Sequence, residues 1–364
     1  MPIQPIIHAA VFVTGVAIVA RTLLSAVRAF ILPRGARDAI VGFVFRELRR
    51  AFNLLAPKRL PYRDRDRIFA YYAPVALATL AVTWLILVMF GFAAMYWGLG
   101  SHTAGDAIRL SGSSLLTLGF ATPSGGIETV LTFIEAISGL GLAALLVGYL
   151  PTMYAAFARR ELDVNLLEVR ADRPASAAAM LIRYHRLGRF DVLSSEWRRW
   201  ETWFADVEES HTTLSALAFY RSAQPEHSWI IAAGAVLDAA ALSRALLDIP
   251  REVQADLAIR AGYIALRRIA DFFGIEYEAA PARTDPTSVT REKFDAVAAQ
   301  LETAGLPLHA DRDAAFLDFS GWRVNYDRPL LALSRLILAP EALWNGWPER
   351  DEFGRFGPTP GDAG

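Results

Sequence analysis

Apolar residues are concentrated in three long segments in the N-terminal half of the chain. The second segment, residues 68–100, has no charged side chain, and the third, residues 127–158, has only Glu128 and Glu135. About 20 helical residues are enough to cross a hydrocarbon layer of ~30 Å. Both segments are therefore predicted to be membrane-spanning helices.

The first apolar segment, residues 5–32, is interrupted by Arg21 and Arg28. Because arginine side chains near a helix end can extend to the membrane surface, this segment is predicted to be a further membrane helix. A helix that lies at the interface or packs within a bundle is the alternative. No basic stretch precedes the segment, so we do not expect a cleaved signal peptide.

Basic residues indicate the orientation. They are abundant in residues 34–67, and Arg159 and Arg160 follow the third apolar segment, whereas residues 101–126 contain only Arg109. Because positive charge favours the cytoplasmic side, we expect residues 101–126 outside and the C-terminal part inside, in a multi-pass protein of the plasma (inner) membrane. Aromatic residues at both ends of the second segment are typical of membrane-interface belts. They are Phe69, Tyr71, Tyr72, Tyr96 and Trp97.

Residues 37–57 are amphipathic at helical spacing. The apolar positions are Ile40, Val44, Leu48 and Phe52, and the basic positions are Arg46, Arg49 and Arg50. This pattern predicts a helix that lies along the inner membrane face and contacts the lipid bilayer. A helix packed on the cytoplasmic domain is the alternative.

Residues 159–364 have helical periodicity with interspersed charges, which predicts an all-helical cytoplasmic domain and a disordered tail. Trp197, Trp200, Phe204 and Val207 recur every three or four residues and are expected in its core. Other helices are expected near residues 174–188, 212–223, 228–248, 250–273, 289–304 and 325–340.

One apolar stretch in this part, residues 229–247, is almost long enough to span a membrane. Asp238 lies at its centre, however, and a charge at the bilayer centre costs at least ~2.5 kcal/mol. We therefore expect a buried helix of the cytoplasmic domain.

Composition excludes several classes of function. The chain is 54% hydrophobic with a mean hydropathy of +0.28, as expected of a membrane part joined to a water-soluble part. Without cysteine there is no disulfide, thiolate catalysis or cysteine-bound zinc. The histidines are scattered, and neither H-E-x-x-H nor G-x-S-x-G occurs, so no enzyme and no cofactor are expected. Acidic and basic residues alternate, which argues against a nucleic-acid partner.

The connection between the second and third apolar segments has an unusual composition. "HTAGDAIRLSGSSLL" predicts a short helix, because Thr103 and Asp106 form a capping pattern. The glycine-containing "TLGFATP" follows. Non-helical backbone at membrane depth is tolerated only where protein buries it or where it lines an aqueous path. This connection therefore predicts a pore, and a helical hairpin whose loop merely turns is the alternative.

The order of outer helix, short helix, "TLGFA" and glycine-containing inner helix over residues 68–158 resembles the pore module of the potassium channel superfamily, whose filter signature is TVGYG. The resemblance implies a homotetramer in which backbone carbonyls of four loops replace the hydration shell of a permeant potassium ion. By motif position the filter residues are Thr117, Leu118, Gly119, Phe120 and Ala121. The carbonyls of the first four imply a site for a monovalent cation.

Three residues depart from this signature. Gly119 adopts a left-handed backbone freely, but Ala121 replaces the second glycine, and a left-handed alanine costs roughly 1–2 kcal/mol. Phe120 lacks the tyrosine hydroxyl, and Thr122 lacks the usual carboxylate at the outer mouth. The departures preserve a cation pore and leave potassium-selective and non-selective conduction both open.

The inner segment contains candidate gating residues. Gly139 and Gly141 are expected either to form a hinge or to allow close packing between helices. Pro151 is expected to break helical hydrogen bonding near a cytoplasmic gate. Glu135 is expected to anchor the pore helix, to tune ion occupancy, or to make a structural hydrogen bond. Glu128 is expected to be an exposed charge at the helix N-terminus.

The predicted fold is thus an all-α membrane protein with an outer helix–pore helix–filter–inner helix module. Its regions are an N-terminal membrane helix (1–33), a cytoplasmic amphipathic interfacial helix and linker (34–67), the pore module (68–158), a cytoplasmic all-helical domain (159–348) and a disordered tail (349–364). The predicted function is a tetrameric cation channel, gated at the inner helices, whose helical domain supports assembly or regulation through an unidentified partner or ligand. A non-conducting membrane-anchored interaction or scaffold protein is the alternative, and a membrane enzyme with its site in the helical domain is a second.

Overall fold

A computed structural model describes residues 3–30, 38–57, 59–100 and 102–339. Of the described residues 77% are helical, and they contain no β-strand beyond one isolated bridge between Leu247 and Leu308. The predicted disordered tail lies outside the described residues. The α-helical class predicted from periodicity is therefore confirmed.

The helices are numbered in chain order. They are α1 (Ile3–Phe30), α2 (Ala39–Leu55), α3 (Tyr62–Ala70), α4 (Tyr72–Gly98), α5 (Ala104–Leu115), α6 (Gly126–Ala171), α7 (Ala177–Arg186), α8 (Leu193–Thr213), α9 (Trp229–Ala245), α10 (Val253–Phe273), α11 (Arg291–Thr303), α12 (Arg312–Arg323) and α13 (Asp327–Ile337). Short 3-10 helices occur at Phe190–Val192 and Ser215–Phe219.

Three helical stretches are long and apolar enough to cross a membrane. They are α1 from Gln4, the consecutive helices α3 and α4, and α6. They correspond to the three apolar segments of the sequence, so the chain has the composition and helix lengths of an all-α membrane protein.

The chain divides into two compact units. The first unit contains residues 1–54 and 71–155, and the second contains residues 55–70 and 156–364. The short helix α3 thus belongs to the second unit, and the long helix α6 begins in the first unit and ends in the second.

In the first unit α1 packs antiparallel on α4 through small residues. A Cβ atom added to Gly15 would lie 2.5 Å from the carbonyl oxygen of Gly91, and one added to Gly98 would lie 2.8 Å from that of His8. Further along, Trp84 Nε1 donates a hydrogen bond of 3.1 Å to Ser25 Oγ. Such close backbone approach is typical of helix pairs in membranes. Helix α1 is therefore an integral part of the first unit.

Helix α2 is attached to the end of α1 through Asp38. Its carboxylate accepts hydrogen bonds from Ser25 Oγ at 2.6 Å, Arg21 Nη1 at 2.9 Å and the backbone N–H of Ile40 at 2.9 Å. Burial raises the pKa of Asp38, but these hydrogen bonds outweigh burial and lower it below its usual value.

Part of the apolar face of α2 is covered by protein within the first unit. Val44 and Phe52 are buried, and Tyr72 of α4 donates a 2.9 Å hydrogen bond to the carbonyl of Phe45. The guanidinium of Arg49 lies 5.7 Å from the centre of the Tyr72 ring. The N-terminal end of α4 thus covers one side of this face, whereas Phe43, Leu54 and Leu55 of α2 are exposed. That α2 contacts lipid stays a prediction.

The aromatic residues at the ends of the second apolar segment do not form two exposed belts. Tyr71 is 68% exposed, but Phe69, Tyr72 and Tyr96 are buried. The prediction of interface belts is wrong for these three residues, because their rings and hydroxyls have protein partners.

In the second unit α9 is the central helix, and nearly all of its side chains are buried. The expected core positions Trp197, Trp200, Phe204 and Val207 of α8 are all buried, as predicted. Asp238 of α9 is bonded by Arg323 Nη1 and by Tyr326 Oη, the latter at 2.8 Å. The buried helix expected at residues 229–247 is confirmed, and the charge of Asp238 at its centre has protein partners.

Two helical predictions in this unit differ from the structure. The helix expected at residues 212–223 is wrong, because α8 ends at Thr213 and the 3-10 helix Ser215–Phe219 follows. Helix α12 was not predicted. Its signal is Asp311, whose carboxylate accepts hydrogen bonds from the first amides of the helix.

Candidate functional site

The candidate site is the connection between α4 and α6 in the first unit. Helix α5 begins after Thr103, whose Oγ1 accepts a 3.2 Å hydrogen bond from the amide of Asp106 and donates one of 2.7 Å to its carboxylate. The predicted capping pattern is therefore present, and a negative charge lies in the first turn, where the helix dipole favours it.

Helix α5 ends in a Schellman motif. The amide of Leu118 donates to the carbonyl of Ser113 at 2.8 Å, and the amide of Thr117 donates to that of Ser114 at 3.1 Å. This motif requires a left-handed residue, usually glycine, and Thr117 fills that position with φ of 54°. A left-handed threonine costs roughly 1–2 kcal/mol, so Thr117, the first residue of the predicted filter, is held in a strained conformation.

The backbone alternates along the next residues. Gly119 has φ of 73°, whereas Leu118, Phe120 and Ala121 have negative φ. The strain expected at Ala121 is therefore absent and lies instead at Thr117. Ala121 avoids the left-handed region, and its amide donates a 3.0 Å hydrogen bond to Ser113 Oγ.

The backbone amides and the backbone carbonyls of residues 117–121 have different environments. The amides of Leu118, Gly119 and Ala121 are all directed to Ser113, to its carbonyl or to its hydroxyl. Within the part of the chain that the structure describes, no donor reaches the carbonyl oxygens of residues 117–120. The side chains of Leu118 and Phe120 are 60% and 58% exposed in the single chain.

Glu135 is fully buried between three helices. Its carboxylate accepts a 2.8 Å hydrogen bond from Tyr96 Oη of α4 and is hydrogen-bonded to Ser111 Oγ of α5. Ser111 Oγ also lies 2.8 Å from the carbonyl oxygen of Met89. Glu135 thus connects α6 to both the outer helix and the short helix, as expected of an anchor for α5.

The two glycines of α6 have different surroundings. A Cβ atom on Gly139 would lie only 2.2 Å from the carbonyl oxygen of Leu115, at the C-terminal end of α5. A Cβ atom on Gly141 would meet nothing within 4 Å. Gly139 therefore has the close-packing role that was one of two expectations. Helix α6 continues without interruption through Pro151.

Glu128 does not have the exposed position that was expected. It is 4% exposed and accepts hydrogen bonds of 2.8 Å from both the amide and the hydroxyl of Ser124. Its carboxylate also lies 3.1 Å from His102 Nε2. The expectation of a free N-terminal charge is wrong, because the chain before α6 folds back over this carboxylate. Thr122, the expected residue of the outer mouth, is exposed.

Much of α6 in the first unit is exposed in the single chain. Its buried positions, which include Leu131, Glu135 and Leu142, form one face toward α4 and α5. Large apolar side chains cover the rest of the surface. They are Ile127, Val130, Phe133, Ile134, Ile137, Leu140, Val147, Leu150 and Tyr154. This surface is available to lipid or to other copies of the chain.

Sequence reasoning missed the residues that hold the site together. These are Ser111, Ser113, Tyr96 and Leu115. A signal was present, because the serines in "SGSSL" place hydroxyls on the buried side of a short helix, where each requires a partner.

The described residues contain no group of three or more His, Asp or Glu side chains that could hold a metal ion. No protein-family model, no curated protein and no solved structure matches this chain. The function must therefore be argued from the geometry of residues 103–142.

Proposed function

We propose that four copies of this chain assemble around a common axis into a cation channel that conducts potassium, with Thr117, Leu118, Gly119, Phe120 and Ala121 as the filter. One observation carries the proposal. The amides of Leu118, Gly119 and Ala121 donate to Ser113, and the carbonyl oxygens of residues 117–120 have no donor among the described residues. Carbonyls without a hydrogen-bond donor are the groups that replace the water around a dehydrated cation.

The support around this stretch is consistent with a filter that must hold its shape. Glu135 fixes α5 to α6 through Ser111, and Gly139 allows the α6 backbone to contact the last turn of α5. Close glycine contacts are common between membrane helices, but a simple turn between two such helices does not require a buried carboxylate that bonds to a third, short helix. The exposed apolar surface of α6 supplies the area on which copies would pack.

In the proposed channel the second unit is cytoplasmic and the membrane is the plasma membrane. Helix α6 passes from the first unit into the second without interruption, so a change in the packing of residues 156–171 can alter the inner mouth near Pro151. The helical unit would then assemble or regulate the channel in response to a partner or ligand.

The test is ion flux through the purified full-length protein in liposomes. A potassium gradient should drive cation uptake, and Gly119→Asp should abolish it, because a left-handed position without Cβ gains a charged side chain. Gly125→Asp is the matched control, since Gly125 lies in the same connection with open space around it and an ordinary φ.

Absence of flux in a wild-type protein that is folded and tetrameric would overturn the channel and favour the membrane-anchored scaffold. Equal flux through the wild type and Gly119→Asp would overturn the assignment of the filter. Comparing potassium with sodium gradients distinguishes selective from non-selective conduction.

A further inference from the structure

A short stretch of the second unit, residues 217–221, is connected to its surroundings by two arginines. We call this stretch the clamp segment. It contains the last turn of the 3-10 helix Ser215–Phe219 and the two residues after it. One arginine comes from α6, and the other, Arg221, belongs to the clamp segment itself. Together they connect it to both chain segments that adjoin the membrane helices.

The first connection is made by Arg160 of α6, whose side chain is completely buried. Its Nη1 donates to the carbonyl of Leu217 at 3.0 Å, and its Nη2 donates to that of Tyr220 at 2.9 Å. Its Nε donates to Glu161 at 2.9 Å, so the charge is neutralised as well as hydrogen-bonded. The chain that leaves the third membrane segment is thereby fixed to the clamp segment.

The second connection is made by Arg221. Its Nη1 is paired with the carboxylate of Asp66 and lies 3.2 Å from Tyr62 Oη, both on α3. Its Nη2 donates to the carbonyls of Ile337 and Leu338, at 2.9 and 3.1 Å, at the end of α13. Helix α3 leads directly into α4, so the chain that enters the second membrane segment is fixed to the same stretch.

The clamp segment is itself anchored in the core of the second unit. Leu217 and Ala218 are buried, and Trp229 Nε1 at the start of α9 donates a 3.2 Å hydrogen bond to the carbonyl of Ala218. The ring of Phe219 lies 5.6 Å from that of Phe273, at the end of α10. A shift of α9 or α10 would therefore displace the carbonyls that hold Arg160 and the backbone that carries Arg221.

We infer that residues 217–221 are a coupling element that ties α3 and the C-terminal part of α6 together and transmits the packing state of the helical unit to both. The coupling rests on contacts within the second unit alone. Its consequence for gating rests on the proposed channel, because α3 and α6 continue into the outer and inner helices of the pore module.

The test is hydrogen–deuterium exchange of the full-length protein in lipid nanodiscs. Arg221→Gln should accelerate exchange about tenfold in α3, which loses its ion pair. It should also accelerate exchange in residues 156–166 of α6, although Arg221 does not contact them, because Tyr220 and Leu217 lose their fixed position. Exchange in the interior of α10 should stay unchanged. Arg189→Gln is the matched control, because Arg189 is exposed and pairs with Asp191 away from the clamp segment.

Acceleration confined to α3 would overturn the inference, since Arg221 would then be a local brace. Should Arg221→Gln unfold the unit, visible as exchange throughout α10, Tyr62→Phe decides instead. It removes one hydroxyl bonded to Asp66 and should give the same two-segment pattern with a smaller change. An unchanged α6 in Tyr62→Phe, with α3 accelerated, would equally overturn the inference.

These exchange measurements do not depend on conduction, so a wild type without flux would overturn the channel and leave the coupling intact. If the wild type conducts, Arg221→Gln should change the open probability and leave the unit conductance unchanged. A change in conductance alone would contradict the assignment to gating.

Discussion

The two units each bury a carboxylate on a long apolar helix, and they satisfy it in different ways. In the first unit Glu135 is bonded by the hydroxyls of Tyr96 and Ser111, and among the described residues no basic side chain pairs with it. In the second unit Asp238 is paired with Arg323, which also bonds Asp327 at 2.8 Å. Burial lowers the pKa of Arg323, but the two carboxylates outweigh burial and raise it.

The two carboxylates have different partners because the two units differ in how readily they accommodate further charged side chains. A buried ion pair is held only where further hydrogen bonds complete it, and Ser288 provides them by donating to Asp327 from its amide at 2.9 Å and its hydroxyl at 2.6 Å. A membrane unit carries few charged side chains, and hydroxyls satisfy a carboxyl group there without adding one. Two predictions test this contrast directly, and two more test the packing of the first unit and the pH response of the second.

The largest effect is expected from Arg323→Met, which leaves Asp238 and Asp327 buried without their cation. Removal of one partner of a buried pair costs about 3–5 kcal/mol. Chemical denaturation followed by tryptophan fluorescence should show this loss in the second unit. Arg189→Met, at an exposed ion pair, should give no measurable change. A loss below about 1 kcal/mol in Arg323→Met would show that the network contributes little.

Two substitutions of Glu135, an isosteric one and a truncating one, should differ in their effect on the stability of the first unit. Glu135→Gln keeps an acceptor and a donor for Tyr96 and Ser111, so thermal unfolding of the detergent-solubilised protein should change little. Glu135→Ala removes the acceptor of the Tyr96 hydroxyl and leaves Ser111 with only the carbonyl of Met89, so it should destabilise by about 2 kcal/mol. An equally large loss of stability in both variants would mean that the carboxylate charge itself is required, and the contrast with Asp238 would fail.

Gly139→Ala should damage the first unit, because its methyl group would overlap the carbonyl oxygen of Leu115. Overpacking of this kind costs about 1–3 kcal/mol and would displace the end of α5, so flux should fall as well. Gly141→Ala, two residues away in open space, is the control and should retain both stability and flux. If flux falls only in Gly141→Ala, a hinge role is favoured over close packing.

The smallest effect is a pH dependence of the second unit. Burial and the nearby charge of Arg160 hold the pKa of His211 well below 6.5, so the folded state does not take up a proton that the unfolded state binds. The neutral, buried His211 therefore contributes stability that is present above pH 6.5. As the pH falls from 6.5 to 5.5, about 1 kcal/mol of the free energy of unfolding is lost. Denaturation midpoints across this range measure it. His211→Gln should flatten the slope, whereas His309→Gln, at an exposed position, should preserve it.

The sequence predicted features that depend on neighbouring residues. Apolar length was enough for α1, α4 and α6, and the Thr103–Asp106 pattern was enough for the start of α5. Periodicity was enough for Trp197 and Trp200 in the core. These features are local, because helix length, caps and faces are set within one or two turns.

Features that depend on distant partners were not predicted. Tyr72 of α4 covers part of α2 and bonds to the carbonyl of Phe45. The hydroxyl of the buried Tyr96 bonds to Glu135, which is 39 residues away. In the candidate site residues 117–121 were singled out by a motif. The serines of "SGSSL" indicate buried hydroxyls, but the bonds of Ser113 to the amides of Leu118, Gly119 and Ala121 depend on how the chain folds after α5. The strain at Thr117 rather than Ala121 depends on where α5 ends, and helix ends are the least certain feature of a periodic pattern.

Helix α6 has 46 residues, so at 1.5 Å per residue it is a rod of about 69 Å, roughly twice the thickness of a hydrocarbon layer. In a helix of this length, a small change of direction at one end displaces the other end further than it displaces the middle. A small twist applied near Arg160 would be carried along the helix toward Val147, because the helix is continuous between them. Pro151, which removes one backbone donor from the rod, is the point where such torque would first be lost as bending.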